Sequence, residues 1–316
     1  MTKLTVAHHF APATGQLLAS HPLIGEIRPL DLERRWDLPV DAEILIVLHD
    51  EDDNSAVRAP RPAGWPGAAR LVQIASSGID GYPAWLFEAP VVATAAGTTA
   101  GPISEYVLAA MLIHAKRLPA MILHDGDPWT TREALLDQPL GTLDGRTLGL
   151  VGIGQIGAKV AALARAFGMR VVACRRSDAP GPEGVEIVPF DAMLARADHI
   201  VLAAPVSAAT TGLLDAGAFA KVKHGVHIVN IARGALIDTG ALIAALQSGR
   251  VGGASLDVTD PEPLPPGHPL WAAPNVRITG HIAWSCAGTP ARIFKLFAEN
   301  IGRVAAGQPP QNAWRP

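Results

Sequence analysis

Residues 147–176 read TLGLVGIGQIGAKVAALARAFGMRVVACRR, and no other stretch restricts the fold as tightly. An apolar strand, Leu148 to Val151, runs into Gly152, Gly154 and Gly157. An amphipathic helix follows, opened by Gln155 and Ile156, with Val160, Leu163 and Phe167 on its apolar face. A second strand runs from Arg170 to Ala173. In this β-α-β setting the first glycine permits a tight turn. The second lets a pyrophosphate approach the backbone, and the third lets helix and strand pack closely. The free N–H groups and positive dipole end of the helix then face the phosphates. A dinucleotide site in a parallel sheet is the expectation.

The rest of the chain is consistent with an α/β protein of two domains, a size that allows a large core in 316 residues. Short apolar runs at Leu4–Ala7, Ile44–Leu48, Leu71–Ala75 and Pro90–Thr94 read as strands of a first α/β unit. The Pro-rich run RAPRPAGWPGAAR, residues 58–70, reads as loop. Val107, Leu108, Met111, Leu112 and Ala115 recur at helical spacing between Pro102 and Leu118. Residues 119–146 read as irregular, with a short helix near Glu133. The segment from Ala291 to Ala306 is amphipathic and is expected to pack back on the first unit. The order implies a cofactor domain (99–286) inserted into a substrate domain (1–98 with 287–316), the reaction lying in a cleft that closes and excludes water.

Composition excludes several classes. With 49% hydrophobic and 17% charged residues and a net charge of -3, nothing points to nucleic acid. No apolar run is long enough to span a bilayer, and MTKLTVAHHF lacks the apolar stretch of a secretory signal. The two cysteines, Cys174 and Cys286, make no metal or disulfide pattern, which favours a reducing, cytoplasmic setting. His8-His9 and the histidines at 224 and 227 have no acidic or cysteine partners at ligand spacing, so no metal is expected, and they read as surface or strand-end residues.

Four polar landmarks each follow an apolar run: Arg233 after Val226–Ile231, Asp257 and Glu262 after Ala254–Val258, and His281 after Val276–Thr279. In an open parallel sheet such positions reach one edge, where ligands bind. An imidazole near the oxygen of a reduced ketone can supply its proton, because its free pKa of about 6.5 lies near working pH. His281 is therefore read as acid/base and Glu262 as its partner. Arg233 suits a substrate carboxylate, since its donors form a rigid fork. Asp257 orients the site and borders the cofactor. Trp284, three residues past His281, is a candidate wall for the substrate pocket.

The second strand of a dinucleotide fold normally ends near an acidic residue that binds the ribose 2′-OH. Here it ends Cys174-Arg175-Arg176-Ser177, with Arg175 standing 18 residues past Gly157. Guanidinium groups meet a 2′-phosphate with paired, charge-assisted bonds, so NADP is expected over NAD. Asp178 is the residue able to restore some NAD binding.

At this point the chain resembles the D-isomer-specific 2-hydroxyacid dehydrogenase family. The matching stretches are GLVGIGQIGAKVAALARAFGMRVVA, VNIARGALID, LDVTDPEPLPPGHPLW and GHIAW, with LVQIASSGIDGY and GTTAGPISEYVLAAML upstream. The resemblance implies two Rossmann-like domains, the substrate domain flavodoxin-like, and places Arg233, Glu262 and His281 at the family's catalytic positions. It implies that Ser77 and Gly78 offer backbone N–H groups to the substrate carboxylate, and that the cofactor domain forms a homodimer. A small 2-keto acid of the glyoxylate or hydroxypyruvate type is the implied substrate. A chain without a further regulatory domain is less expected of the longer phosphoglycerate dehydrogenases. Two alternatives stand beside this reading: a formate or phosphite dehydrogenase of the same fold, and a dinucleotide-sensing binding protein. Trp129 is a candidate to reach a neighbouring subunit.

Overall fold

The computed structural model describes residues 3–49, 57–122, 132–133, 136–137, 139–176 and 179–315. The chain divides into two compact units, Met1–Thr98 with Cys286–Pro316, and Thr99–Ser285.

The first unit is built on five parallel strands: β1 (Leu4–His8), β2 (Ile24–Pro29), β3 (Ile44–Val47), β4 (Leu71–Ile74) and β5 (Val92–Ala93). Their spatial order, β2-β1-β3-β4-β5, is the flavodoxin-like order that was expected. Strands β3 (ILIV) and β4 (LVQI) are buried throughout, as parallel strands covered on both faces must be. Strand β2 is absent from the sequence reading. Only Ile24 of IGEIRP is buried, because this strand lies at the sheet edge and keeps polar residues in water. The C-terminal helix Thr289–Ala305 belongs to this unit and packs Phe294, Leu296, Phe297 and Ile301 against Val6, Ile44 and Leu71. Its buried Asn300 donates to Gln73 Oε1 at 2.8 Å and accepts from the Gln311 amide at 2.7 Å.

The second unit carries seven parallel strands: β6 (Thr147–Val151), β7 (Arg170–Cys174), β8 (Val185–Ile187), β9 (His199–Leu202), β10 (Val226–Asn230), β11 (Val251–Leu256) and β12 (Val276–Ile278). The order is β12-β11-β10-β9-β6-β7-β8. The chain starts in the middle at β6, winds outward to β8, then returns to β9 on the other side. That reversal between β6 and β9 opens a crevice at the C-terminal strand ends, where doubly wound sheets bind ligands. The long helix α1 (Ala100–Lys116) buries Val107 and Met111 in the core beside β6 and stops where Arg117 turns left-handed, φ 48°.

Two expectations are corrected. Phe167 does not share the buried face of helix α2 (Gln155–Ala166); it is 43% exposed. The helix ends one residue earlier, Gly168 takes φ 77°, and Phe167 leaves the helical face as the C-cap. The histidines at 8, 9 and 227 are interior rather than superficial, at 0%, 3% and 0% exposure, whereas His224 is exposed. His9 contacts the carbonyls of Leu48 and Arg35 at 3.0 and 2.8 Å. In the second unit, His227 stacks on His114 at 4.1 Å and shares a 3.2 Å Nδ1–Nδ1 hydrogen bond with His199. Burial pushes His9 and His199 each down to about 4. His114 falls to about 4 as well, through burial and the nearby Arg277 charge.

These rings are harder to protonate folded than unfolded, so the unfolded chain binds more protons between their two pKa values. Stability is accordingly complete above about pH 6.5, the free imidazole value, and is lost as pH falls toward the folded values near 4. Urea unfolding at pH 7, 6 and 5 is expected to show a falling midpoint; an unchanged midpoint is the contrary result.

Candidate active site

The three glycines of the β6–α2 turn answer to different demands. Gly152 has φ 91°, and a Cβ there lies 2.9 Å from the Ala203 carbonyl and the Ala204 amide beyond β9. A Cβ on Gly157 lies 2.4 Å from the Gly152 carbonyl oxygen. Both clashes are with backbone that cannot yield. Gly154 differs: its φ is -75°, open to any residue, and a Cβ there has nothing within 4 Å. The turn thus keeps an approach to the backbone clear where the helix begins. Gln155 at that start is exposed, while Ile156 packs half-buried against the core. The first amides of a helix lack intrahelical partners. The loop therefore fits the phosphates of a dinucleotide.

Arg175 and Arg176 follow β7 and are both exposed. Among the described residues Arg175 Nη1 reaches the Pro180 carbonyl, at 3.4 Å. Ser177, Asp178 and Trp129 lie outside the described residues.

Past β11 and β12 the chain brings three of the sequence's landmarks together. His281 Nδ1 lies 3.4 Å from Glu262 Oε1, with side chains 23% and 35% exposed. This is a long separation for an N–H···O bond. His281 has φ 54°, a left-handed conformation that a side chain makes unfavourable by about 1–2 kcal/mol. Its backbone is pinned on both sides. The His281 amide donates to the Asp257 carbonyl at 2.8 Å, and Trp284 Nε1 donates to the His281 carbonyl at 2.9 Å. Trp284 is 40% exposed and braces the histidine.

The Asp257 side chain, 2% exposed, holds this same loop. Its Oδ1 accepts from Thr279 Oγ1 at 2.6 Å and from the Ile282 amide at 3.1 Å, and its Oδ2 accepts from the Ala283 amide at 2.9 Å. Tyr106 on α1 extends the network with a 2.9 Å bond to Thr279. Tyr106 and Thr279 are positioning residues that sequence reasoning missed. Only the Tyr in an otherwise apolar helix face hinted at them.

Arg233 is half-buried just past β10. Asn230, fully buried at the end of that strand, shapes its loop: Nδ2 donates to the Arg233 carbonyl at 2.8 Å and Oδ1 accepts from the Ala232 amide at 3.1 Å. Asn230 was also missed, though a polar residue closing VHIVN is a readable signal. Gly234 lets the two loops meet. A Cβ there falls 2.0 Å from the Thr259 carbonyl carbon, on the segment that leads to Glu262.

In the other unit, the loop after β4 is folded by Ser76, whose hydroxyl donates to the Gly78 carbonyl at 2.7 Å and contacts Tyr82 Oη at 3.0 Å. Ser77 is exposed, and neither its amide nor that of Gly78 donates to another described residue. Among the described residues no group of three His, Cys, Asp or Glu side chains is placed to hold a metal, and no helix is long and apolar enough to cross a membrane.

Residues 108–283 match the family described as D-isomer specific 2-hydroxyacid dehydrogenase, NAD binding domain. The chain belongs to that family. A D-3-phosphoglycerate dehydrogenase of Archaeoglobus fulgidus is 35% identical over 71% of this chain and 42% of its own length. A glyoxylate reductase of Korarchaeum cryptofilum is 38% identical over 53% of this chain and 52% of its own. The chain thus spans about half the length of these relatives. Among solved structures, a D-isomer specific 2-hydroxyacid dehydrogenase of Xanthobacter autotrophicus Py2 in complex with NADPH superimposes with a TM-score of 0.76 at 27% identity, over 99% of this chain and 98% of that one.

The glycine geometry of this dehydrogenase-family chain separates folding from binding. Gly152→Ala and Gly157→Ala are each expected to lower the unfolding free energy by about 1–3 kcal/mol, the usual cost of forcing atoms into packed space. Gly154→Ala should change it by less than about 0.5 kcal/mol. Denaturant titration of the three variants is the check.

Proposed function

We propose that the chain is an NADPH-dependent reductase of small 2-keto acids, returning the D-2-hydroxy acid. The observation that carries this reading is the His281–Glu262 pair, 3.4 Å apart at the sheet edge that also presents the Gly152–Gly157 turn. A nicotinamide dinucleotide held by the glycine turn would supply the hydride for the keto carbon. The chain's own residues manage the charge and the proton. Nδ1 of His281 faces Glu262, and in this reading Nε2 delivers a proton to the substrate oxygen, which becomes the hydroxyl. The Glu262 carboxylate orients the ring and stabilises its protonated form. The Arg233 guanidinium binds the substrate carboxylate and draws electron density from the carbonyl. Asp257 holds the backbone that carries His281 and, in this reading, borders the nicotinamide.

The glycine turn and the first amides of α2 would hold the pyrophosphate. Arg175 and Arg176, exposed past β7, would take a 2′-phosphate; the resemblance to a structure in complex with NADPH supports that choice. A glyoxylate reductase among the relatives supports a small substrate, and the phosphoglycerate dehydrogenase relative names the competing one. We further infer a homodimer formed through the cofactor-binding unit and a reducing, cytoplasmic setting.

NADPH oxidation against glyoxylate, hydroxypyruvate, pyruvate and 3-phosphohydroxypyruvate tests the assignment. The first two should be preferred, and kcat/KM with NADPH should exceed that with NADH by about tenfold or more, the worth of one charge-assisted contact. Preference for NADH, or for the phosphorylated acid, overturns the corresponding half of the reading. His281→Asn is expected to reduce kcat by at least about a hundredfold, the contribution of positioned acid–base catalysis. Cofactor affinity, read by fluorescence titration, should be spared; full turnover in that variant rejects the role given to the imidazole.

A further inference from the structure

The N-terminal strand ends of the second unit, opposite the edge that carries Arg233 and His281, border a cavity. Its volume is about 420 Å³, within the range of small-ligand pockets, which runs from about 300 to 1,000 Å³. Every residue lining it belongs to this unit. Val226, at one end of β10, lines it, whereas Asn230, at the other end, shapes the Arg233 loop. A strand advances about 3.3 Å per residue, so the two places are separated by more than about 10 Å of sheet.

The lining is strongly cationic. Arg117, Arg146, Lys223 and Arg277 line it together with one carboxylate, that of Asp198. Asp198 is already engaged by Lys223 at 3.0 Å, by Arg146 at 3.9 Å and by the Thr147 amide at 2.8 Å. Leaving Arg117 aside, three formal positive charges against one negative leave an excess of two among the described lining residues. The C-terminus of α1 ends at this cavity and offsets only about half an elementary charge. Arg277 is the sharpest sign. Its Nη1 is buried and has no hydrogen-bond partner among the described residues. A buried donor left unmade costs about 1–3 kcal/mol, and guanidinium donors suit oxyanions. The rings of His114 and His199 complete the wall, backed by His227, which is fixed by its Nε2 contact to Ser255 Oγ at 3.1 Å. Burial pushes His114 and His199 each down to about 4, so these two rings line the cavity without adding charge.

We propose that this cavity binds a small multivalent oxyanion, a phosphate group free or carried on a metabolite, with Arg277 and Arg146 as its principal donors. The site is separate from the reductase machinery and does not depend on that reading.

Isothermal titration calorimetry of the full chain with inorganic phosphate, at pH 7.5 and at ionic strength fixed with sodium chloride, tests it. Saturable binding is expected, weakened about tenfold or more by Arg277→Gln and by Arg146→Gln, the value of one charged contact. Arg233→Ala, at the opposite edge, should leave phosphate affinity unchanged. Repeating the titration with glycerol 3-phosphate separates a free from an esterified phosphate. Should Arg277→Gln fail to fold, Arg146→Gln, whose side chain is 54% exposed, still decides the matter. Absence of saturable binding, wild-type affinity in both pocket variants, or loss confined to Arg233→Ala overturns the proposal.

Discussion

One buried carboxylate holds the candidate site in shape. The Asp257 side chain has almost no access to water, so its charge is solvated by the chain itself: a hydroxyl and two amides of the segment 279–283. Charge-assisted hydrogen bonds are roughly twice as strong as neutral ones, and an unsolvated charge inside a protein is very costly. The loop and the carboxylate therefore require each other. One outcome is the left-handed backbone of His281, a conformation that persists only when its surroundings overdetermine it.

A second constraint is steric and acts through absent atoms. Gly234 lets the turn after β10 touch the backbone at Thr259, so Arg233 and the approach to Glu262 cannot drift apart independently. Gly152 does the same between the ends of β6 and β9. Groups distant in sequence are registered against each other by main chain, which is stiffer than any side-chain contact.

The signals that were legible in the sequence were those written by period and punctuation. The buried parallel strands read as unbroken apolar runs, and the turn at 152–157 read as glycines in a β-α-β frame. Its consequence, a doubly wound sheet, is what TLGLV and RVVAC form. Strand β2 escaped because an edge strand need not be apolar. Phe167 misled because helical spacing says nothing of where the last turn stops. The histidines at 8, 9 and 227 misled for another reason: burial of a polar ring depends on partners such as Leu48, Arg35 and Ser255 that are remote in sequence. The landmarks Arg233, Glu262 and His281 were proposed from chemistry and strand position, and the last two lie 3.4 Å apart. The residues that hold their loops, Asn230, Thr279 and Tyr106, act through hydrogen bonds no local pattern announces.

Gly154 stands apart from its neighbours in the turn. Its backbone angles suit any amino acid, and the space beside it is empty of protein atoms. Nothing in the chain's own assembly asks for the smallest residue there. In a domain of an NAD-binding family that clearing is where a dinucleotide would come against the main chain, so the position keeps room for a guest rather than for the polypeptide itself.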